Sequence, residues 1–510
     1  MPTIKKDFPF YTILFALYPS LSLLALNIGE IDFNVAYRTI FFSITLASVL
    51  LFILVFVLKN WAKGGLILFL ALIIFFYYGH LYNFTKNLNI LGIPIGRHRF
   101  LFLLILVIFT LFLWMILQKT TYEPSYTSNM NIIILFLLFW PTFQLARFAY
   151  TQWETGQKEI LQSLELPDNI PVDRPDIYFI ILDTYGRSDV LQEEFDYDDS
   201  FFLEELENLG FFIDRCSRSN YVSTYSSLAA TLNINYLQVL GEDTFPEDES
   251  LPLLHRFITE NLVSDTLKKF GYQTIAFETG YEWAELDTAD RFYTLRSSKI
   301  NNFESLFIRN SLLLLLDDLG YFSTLKLTDD EWKKDSILFT VETLRKLPKK
   351  PGPKFIVAHL ILPHPLFVLD ENGEFSVVSP RYEDGEYGYT KEDYKKGIQN
   401  QVGFINNVFP DILNDIIKNS EVEPIIIIQG DHGFRKIPIE DQLKNFSAYY
   451  IPQARQSLHS NLTPVNNFRF IFNSYFGFEL PELENESYLS GETFFDFIEV
   501  EENCGFLEKK

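Results

Sequence analysis

One stretch of 18 residues limits the fold of this chain more than any other feature. Residues 100–117 read FLFLLILVIFTLFLWMIL and contain no charged side chain. As a helix, this run would be about 27 Å long, close to the thickness of the hydrocarbon core of a bilayer. Because a helix at the surface of a water-soluble protein keeps a polar face toward solvent, the run predicts a helix that spans a membrane.

This run is the fourth of five apolar segments in the first 150 residues. The five are Phe10–Leu26, Thr39–Leu58, Gly65–Tyr82, Phe100–Leu117 and Ile132–Phe148. A removable signal peptide would account for the first segment but not for the four that follow. We therefore predict an all-α transmembrane domain of about five helices over residues 1–150.

Charge divides the chain into two parts. Residues 1–158 contain 11 Lys and Arg and 5 Asp and Glu, a formal charge of +6. Because the whole chain carries −24, residues 159–510 carry −30. A domain this acidic lacks the excess of Lys and Arg that contacts the backbone of nucleic acids, so we expect no nucleic-acid partner.

The positions of the basic residues indicate how the chain is oriented in the membrane. Lysines lie before the first segment, between the second and third, and after the fourth: Lys5, Lys6, Lys59, Lys63 and Lys119. Basic residues favour the cytoplasmic side, so these predict an inside N-terminus, whereas Arg97 and Arg99 oppose this orientation. With five crossings, the expectation is a multi-pass protein of the cell membrane whose large domain is extracytoplasmic.

A connector is predicted over residues 151–175. Its second half, LPDNIPVDRPD, contains three prolines, which end any helix that continues from the membrane. The catalytic domain is predicted over residues 176–510.

Two features within that domain leave alternatives open. Cys216 and Cys504 could form a disulfide in an oxidising compartment, but two unpaired thiols are slightly favoured. The apolar run Ser311–Phe322 is too short to span a bilayer. It suits either an amphipathic contact with the bilayer surface or a buried core helix.

Three short apolar runs in the soluble part have the length and composition of buried strands. DIYFIIL leads into Asp183, KFIVAHLIL carries His359 and leads into His364, and EPIIIIQG leads into Asp431 and His432. Helical segments alternate with these runs, which predicts an α/β fold with a central sheet covered by helices on both faces. Since ligands of such sheets bind beyond the carboxyl ends of the strands, the polar residues should meet at one edge.

Asp183, Asp431 and His432 are the predicted protein ligands of a metal ion. Two carboxylates and one imidazole suit a divalent cation. The alternatives are a turn for the Asp431–His432 pair and a helix N-cap for Asp183. The preceding strands favour the metal site, since an unpaired carboxylate at the end of a buried strand would be costly.

Thr224 is the predicted nucleophile. It begins the segment TYSSLAATL, which has helical character, and the amide groups at a helix start stabilise an alkoxide or a phosphate. A nearby metal would lower the pKa of the hydroxyl further. The alternative is a capping role, and the competing hydroxyls are those of Ser223, Ser226 and Ser227.

Taken together, these motifs resemble the alkaline phosphatase/sulfatase superfamily over about 330 residues. DIYFIILDTYGRSDVL resembles its opening strand with a metal-binding Asp, and GDHGF resembles its second metal-binding pair. TYSSLAATL stands where sulfatases have Cys-x-Pro-Ser-Arg, and HLILPHPLFV is similar to the strand end that binds the substrate oxyanion. The resemblance implies an alkaline-phosphatase-like fold for the soluble domain.

A Thr at the nucleophile position decides which members of the superfamily the chain resembles most. Sulfatases convert a Cys or Ser to formylglycine, which a Thr cannot form. A Thr nucleophile behind a membrane domain resembles the lipoteichoic acid synthases and the phosphoethanolamine transferases of bacterial envelopes. In those enzymes the ligand on the first strand is a Glu, where this chain has Asp183.

The resemblance implies the roles of the site residues. Asp183, Asp431, His432 and Thr224 would hold one divalent metal, with Mn²⁺ or Zn²⁺ favoured and Mg²⁺ or Ca²⁺ left open. Thr224 would attack phosphorus and form a phosphothreonine intermediate. The substrate-binding candidates are His364, His359 and Arg187.

The expected function is that of a metal-dependent phosphotransferase. It would move a phospho-headgroup from a membrane phospholipid to a glycan or lipid acceptor of the cell envelope. One alternative is a sulfatase-like hydrolase of sulfate or phosphate esters. Another is a non-catalytic, membrane-anchored binding module, which the presence of every expected site residue disfavours.

Overall fold

The computed structural model divides the chain into two compact units. The first contains residues 1–158 and 298–329, and the second contains residues 159–297 and 330–510. The structure describes residues 8–28, 33–86, 88–90, 93–94, 96–118, 124–156, 163–167, 173–241, 250–295, 300–321, 329–376, 381–383, 386–490, 496–500 and 504. Parts of the predicted connector, residues 157–162 and 168–172, lie outside these ranges.

Helices occur in both units. In chain order they are α1 (Phe10–Leu26), α2 (Tyr37–Leu58), α3 (Trp61–Thr85), α4 (His98–Gln118), α5 (Pro124–Gly156), α6 (Ser188–Phe195), α7 (Ser200–Leu209), α8 (Thr224–Leu232), α9 (Leu237–Gly241), α10 (Ser250–Thr259), α11 (Leu262–Lys269), α12 (Asn302–Asn310), α13 (Leu314–Asp318), α14 (Asp329–Leu344), α15 (Lys391–Asn419) and α16 (Pro464–Phe476).

In the described part of the chain, the strands form one large sheet and three small ones. In chain order they are β1 (Asn89–Ile90), β2 (Ile93–Pro94), β3 (Ile177–Leu182), β4 (Phe212–Ile213), β5 (Gln273–Phe277), β6 (Arg291–Tyr293), β7 (Lys354–Leu360), β8 (Arg381–Glu383), β9 (Glu386–Gly388), β10 (Ile425–Gly430), β11 (Ser447–Tyr450), β12 (Tyr488–Ser490) and β13 (Phe497–Glu499). The pairs β1–β2, β8–β9 and β12–β13 are antiparallel two-stranded sheets.

The five predicted apolar segments are all helical, as α1 to α5. In the described part of the chain, four helices are long and apolar enough to cross a membrane: α2, α3, α4 and residues 125–150 of α5. Helix α1 is apolar but shorter, at 17 residues. Asn60 begins α3 by accepting a hydrogen bond from the Lys63 amide at 3.0 Å, so the short α2–α3 turn is capped.

The second unit is built on a seven-stranded sheet with the order β4-β11-β10-β3-β7-β5-β6. Strands β10, β3, β7, β5 and β6 are parallel, and β11 and β4 are antiparallel. The register aligns the ends of the three central strands, because Leu182 pairs with both Leu360 and Gly430. Every residue of these three strands is buried, so both faces of the sheet are covered.

Two apolar cores lie on the two faces of this sheet. Side chains alternate along β3, so Tyr178, Ile180 and Leu182 enter one core and Ile177, Phe179 and Ile181 enter the other. Helix α15 packs in the first core and α16 in the second. The predicted α/β architecture with helices on both faces is therefore confirmed.

The slight preference for unpaired cysteines was wrong. Cys216 and Cys504 form a disulfide with a Cα–Cα distance of 5.6 Å. The bond closes a separation of 288 residues. No local spacing indicates such a pair, because only the fold brings the two residues together.

One segment of the range predicted as catalytic domain belongs to the other unit. Residues 298–329, which interrupt residues 176–510, group with the membrane helices. Helices α12 and α13 form most of the described part of this segment.

Candidate metal centre and nucleophile

The three central strands place the predicted metal ligands together. Ligand atoms of Asp183, Asp431 and His432 lie within 4.8 Å of one another, and all three side chains are buried. Asp183 follows the last residue of β3, and Asp431 follows the last residue of β10. Because these parallel strands end in register, the carboxylates converge at one edge of the sheet.

Two carboxylate oxygens at this edge have no hydrogen-bond donor. Asp183 Oδ1 and Asp431 Oδ2 are buried, and nothing in the described part of the chain donates to them. An unpaired buried carboxylate oxygen is costly in a folded protein. A divalent cation would satisfy both oxygens, so these residues fit a bound metal.

The remaining atoms of the three ligands are held in place by the protein. Asp431 Oδ1 accepts the Thr184 amide at 2.8 Å, and Asp183 Oδ2 lies 3.2 Å from His359 Nε2. His432 Nδ1 lies 2.8 Å from the Gly433 carbonyl, which can only accept a proton, so the lone pair is on Nε2. That Nε2 lies 3.5 Å from Asp431 Oδ2 and 3.3 Å from an Arg435 guanidinium nitrogen.

The backbone at the ends of these strands is unusual. Thr184, directly after Asp183, has a φ of 64°, a left-handed conformation that β-branched residues avoid. Strained residues of this kind cost about 1–3 kcal/mol and cluster at functional sites. At Gly430, an added Cβ would meet the Tyr185 carbonyl oxygen at 2.1 Å, so the chain requires a glycine before Asp431.

The electrostatics of the site suit metal binding. Burial alone would raise the pKa of Asp183, but the neighbouring His364, His359 and His432 hold it below its usual value. Burial lowers the pKa of His432, which keeps its imidazole neutral. An ionised carboxylate and a neutral imidazole are the forms that bind a metal.

Thr224 lies at the start of α8 but does not cap it. Ser223 is the N-cap, and its hydroxyl oxygen accepts the Ser226 amide at 3.4 Å. Ser227 donates its hydroxyl to the Asp431 carbonyl at 2.6 Å, which ties α8 to the metal-ligand loop. Residues three apart share a helix face, so Thr224 and Ser227 lie on the same side of α8. All four hydroxyl residues are buried, and the three serines have structural partners.

His359 and His364 both belong to this end of the sheet. A regular strand would direct two residues five positions apart to opposite faces. Strand β7 ends at Leu360, however, and the loop that follows carries His364. Burial lowers the pKa of His364, while the charge of Asp183 opposes that shift. The Nδ1 of His364 contacts the Pro365 carbonyl, so it carries a proton and leaves Nε2 as the basic atom.

Arg187 is paired with an acidic neighbour. Its guanidinium donates to both carboxylate oxygens of Asp189, at 2.7 and 2.6 Å. Asp189 therefore neutralises it in this state, and its role in substrate binding stays a prediction.

Lys333, which no sequence motif indicated, lies beside the site in the structure. Its ammonium donates to the His364 and Leu366 carbonyls, both at 2.9 Å. The side chain is buried and lines a cavity together with Glu278 and His359. Burial lowers the pKa of Lys333 to about 7, while Asp183 and Asp330 oppose that shift.

A row of aromatic rings connects the residue after Thr224 with His364. The ring centroids of Tyr225 and Trp283 are 4.0 Å apart, and those of Trp283 and Tyr281 are 5.6 Å apart. Tyr281 in turn meets the His364 ring edge-on at 6.0 Å. The loop that carries two of these rings is held by buried Glu285, which accepts from the Thr279 and Gly280 amides.

The chain is similar to solved structures of bacterial envelope proteins. It matches the C-terminal periplasmic domain of EcEptC from Escherichia coli, in complex with Zn, at 12% identity and a TM-score of 0.41, over 66% of this chain and 96% of that one. It matches the integral membrane protein lipooligosaccharide phosphoethanolamine transferase A (EptA) from Neisseria meningitidis at 11% identity and a TM-score of 0.37. This match covers 92% of this chain and 96% of that one. It matches the lipoteichoic acid synthase LtaP from Listeria monocytogenes at 10% identity and a TM-score of 0.37. This match covers 68% of this chain and 91% of that one.

These are the two classes of enzyme that the motifs resemble. No protein-family model matches the chain, and no curated protein does. At TM-scores near 0.4, the likenesses are too loose to carry a functional assignment. The assignment therefore depends on the residues of the site.

Proposed function

We propose that this protein is a metal-dependent phosphotransferase that uses Thr224 to move a phospho-headgroup from a membrane phospholipid to a glycan or lipid acceptor of the cell envelope. The observation that carries the proposal is the pair of buried carboxylate oxygens without donors, Asp183 Oδ1 and Asp431 Oδ2, beside the neutral His432. The helix that begins with Thr224 is tied to the same loop through Ser227.

Asp183, Asp431, His432 and the Thr224 hydroxyl are the proposed ligands of one divalent cation. Mixed carboxylate and imidazole ligands favour Mn²⁺ or Zn²⁺ over Mg²⁺ or Ca²⁺. When bound, such an ion lowers the pKa of a coordinated hydroxyl and neutralises charge on phosphoryl oxygens.

The chain's own residues carry the group transfer. Thr224 Oγ forms a bond to phosphorus while the bond from phosphorus to the lipid oxygen breaks, which leaves a phosphothreonine diester. The proton of the Thr224 hydroxyl must reach the departing lipid alkoxide. His364 is the proposed carrier, because its Nδ1 contacts the Pro365 carbonyl, which leaves Nε2 free to accept a proton and return it. An acceptor hydroxyl then attacks phosphorus, the bond from Thr224 Oγ to phosphorus breaks, and the proton of the acceptor hydroxyl passes to Thr224.

The location of the enzyme follows from the membrane helices and the disulfide. A phospholipid donor reaches the site by lateral diffusion in the bilayer. Disulfides such as Cys216–Cys504 persist in oxidising compartments and are rare in the cytosol. We infer that the second unit is extracytoplasmic, which agrees with the orientation predicted from Lys5, Lys6, Lys59, Lys63 and Lys119.

The mass of the peptide that contains Thr224 tests the proposal. Protein purified from native membranes with its metal retained should carry a phospho-headgroup on Thr224, and the adduct should be absent from Thr224→Ala. The mass of the adduct would identify the headgroup. If the peptide is unmodified and the purified protein also fails to cleave a phosphodiester with added Mn²⁺ or Zn²⁺, the phosphotransferase proposal is wrong.

The same preparation separates transfer from hydrolysis. Lipid headgroup that appears on an added glycan or lipid acceptor indicates transfer, whereas headgroup released only to water indicates a hydrolase with the same site. Cleavage of a sulfate ester without any phosphodiester activity would favour the sulfatase alternative.

A further inference from the structure

A segment that interrupts the second unit is built into the membrane bundle. Residues 300–321 contain α12 and α13 and belong to the same compact unit as α1 to α5. The segment is anchored at both ends of its described range. Glu304 pairs with Arg38 at 2.6 Å, and Asp318 pairs with His98.

Both anchors lie at the same end of the helix bundle. Arg38 is near the start of α2 and His98 begins α4, and consecutive helices run in alternating directions. The opposite end is marked by Lys63, whose ammonium donates to the Leu117 carbonyl near the end of α4 at 3.0 Å. Helix α5 runs opposite to α4 and therefore ends, at Gly156, on the side of the anchors.

The segment does not stop at the end of the bundle but follows α3 toward the middle of the membrane. The Leu312 amide donates to the Phe75 carbonyl at 2.6 Å. At Gly79 an added Cβ would meet the Arg309 carbonyl oxygen at 2.0 Å, so the two backbones are in direct contact. At 1.5 Å per residue, Gly79 and Phe75 lie about 9 and 15 Å from the end of α3.

Because α3 is longer than the hydrocarbon core is thick, these distances place Gly79 and Phe75 within the outer leaflet of the bilayer. Helix α3 has 25 residues, about 37 Å, whereas the hydrocarbon core is about 30 Å thick. Irregular backbone at such a depth is tolerated only where protein covers it. The covering is present, because Phe307 packs with Phe76 at 5.8 Å and belongs to the apolar core of the membrane helices.

The outer side of the segment exposes apolar side chains around one carboxylate, Asp318, which is paired with His98. Leu316, Leu319 and Tyr321 are 40, 74 and 57% exposed, and they flank Asp318, the partner of His98. The neighbouring end of α3 is equally apolar, with Leu81 42% and Phe84 82% exposed. The exposed leucines therefore continue the surface that α3 presents to lipid.

We infer that residues 300–321 form a re-entrant element that enters the outer leaflet of the bilayer and contacts phospholipid through Leu316, Leu319 and Tyr321. The chain of the catalytic unit thus enters and leaves the membrane a second time between β6 and α14. This inference goes beyond the proposed phosphotransfer and does not depend on it, whereas the assignment to the outer leaflet rests on the orientation proposed above. It also combines the two alternatives left open for Ser311–Phe322, since one side of the segment is buried in protein and the other faces lipid.

Spin labels at single cysteines test the inference in the full-length protein. The chain has only two cysteines, and both are in the disulfide, so Leu316→Cys and Leu319→Cys label selectively. The labelled protein is placed in phosphatidylethanolamine and phosphatidylglycerol vesicles. Collisions with oxygen, which enters lipid, are compared with collisions with a water-soluble nickel complex.

Two matched positions calibrate the measurement. Val239→Cys lies on the second unit and is 70% exposed, and Phe136→Cys lies in the middle of a membrane helix and is 76% exposed. We expect Leu316 and Leu319 labels to be accessible to oxygen and protected from nickel, with depths between those of the two controls. Nickel accessibility equal to that of Val239 would overturn the inference. Protection from both reagents would overturn it too, because a second copy of the chain would then cover the leucines.

Discussion

The ammonium of Lys333 donates to the carbonyl of His364 at 2.9 Å, and this contact fixes the loop that carries the proposed proton carrier. A second bond, to the Leu366 carbonyl at 2.9 Å, holds the other side of the same loop. Lys333 is therefore expected to act on catalysis through His364 and not through the substrate.

Replacement of this lysine should impair the reaction in a manner that depends on the leaving group. A displacement of a catalytic group by about 1 Å can cost about 100-fold in rate, so we expect Lys333→Met to lower kcat for a phospholipid donor by about 10- to 100-fold. An activated nitrophenyl phosphodiester needs no proton on its leaving group, so its cleavage should fall much less. Steady-state kinetics on both substrates provide the measurement.

Two comparisons show whether the effect passes through His364. The double variant Lys333→Met/His364→Ala should be no slower than His364→Ala alone, because the two residues act as a unit. Lys334→Met, at the next position and partly exposed, is the matched control and should retain full activity. Additive losses in the double variant would mean that Lys333 acts independently of His364.

Removal of the metal should destabilise the second unit. Without the ion, Asp183 Oδ1 and Asp431 Oδ2 are buried acceptors with no donor in the described part of the chain. A ligand present at 100 times its Kd stabilises by about 2.7 kcal/mol, so chelation should lower Tm measurably. Thermal unfolding in detergent, with and without EDTA, measures this shift, and metal analysis confirms that the ion was removed.

The variant Asp183→Asn separates metal binding from general stability. It removes a ligand charge and keeps the shape of the side chain, so added Mn²⁺ or Zn²⁺ should raise its Tm much less than that of the wild type. Asp411→Asn, at an exposed position on α15, should behave like the wild type in both conditions. An EDTA-insensitive Tm in the metal-loaded wild type would contradict the assignment of the site.

The strand-end residues could be predicted because they depend on local patterns. Asp183, Asp431 and His432 each follow a buried apolar run, and parallel strands bring such ends together whatever the order of the strands in the sheet. Lys333 could not be predicted in this way. It lies in an ordinary charged helix, and its role arises only because α14 packs beside the loop after β7.

The disulfide pairing and the grouping of residues 298–329 with the membrane helices need the fold, although the apolar run Ser311–Phe322 already allowed a contact with the bilayer. Cys216 and Cys504 are 288 residues apart, and no rule of spacing connects them. Residues 298–329 lie within the acidic half of the chain, so their placement among the membrane helices follows from tertiary contacts such as Arg38–Glu304. Periodicity identifies elements, whereas contacts between distant segments need the fold.

Ser227 offers a test of the link between α8 and the metal-ligand loop. Its hydroxyl donates to the Asp431 carbonyl at 2.6 Å in a buried position. Ser227→Ala leaves that carbonyl without this donor, so we expect a loss of about 1–2 kcal/mol in the free energy of unfolding and less adduct on Thr224. Denaturant unfolding and peptide mass measure the two effects.

Ser264→Ala is the control for this serine. The Ser264 hydroxyl is also buried but makes no hydrogen bond with the described part of the chain. Its removal should leave stability within a few tenths of a kcal/mol or raise it slightly. Equal effects of the two substitutions would argue against a specific role for the Ser227 bond.

The disulfide should stabilise the second unit and reveal its compartment. We expect Cys216→Ser/Cys504→Ser to lose about 2–4 kcal/mol in the free energy of unfolding, a typical value for a bond that closes a long loop.

In protein taken from intact cells, iodoacetamide should modify neither cysteine until a reductant is added. Modification of both without reductant would place the unit in a reducing compartment and contradict the proposed orientation.

Lys333 should also make the stability of the protein depend on pH. Burial lowers its pKa to about 7 in the folded state, against an ordinary value of 10.5. Between these values the unfolded chain binds a proton that the folded chain does not, so this residue makes the free energy of unfolding rise with pH. Below pH 7 both states are protonated, and the contribution is constant. Between pH 7 and 10, Tm should therefore rise for the wild type relative to Lys333→Met, whereas Lys334→Met should follow the wild type. A difference between wild type and Lys333→Met that does not change with pH would mean that the buried lysine keeps its ordinary pKa.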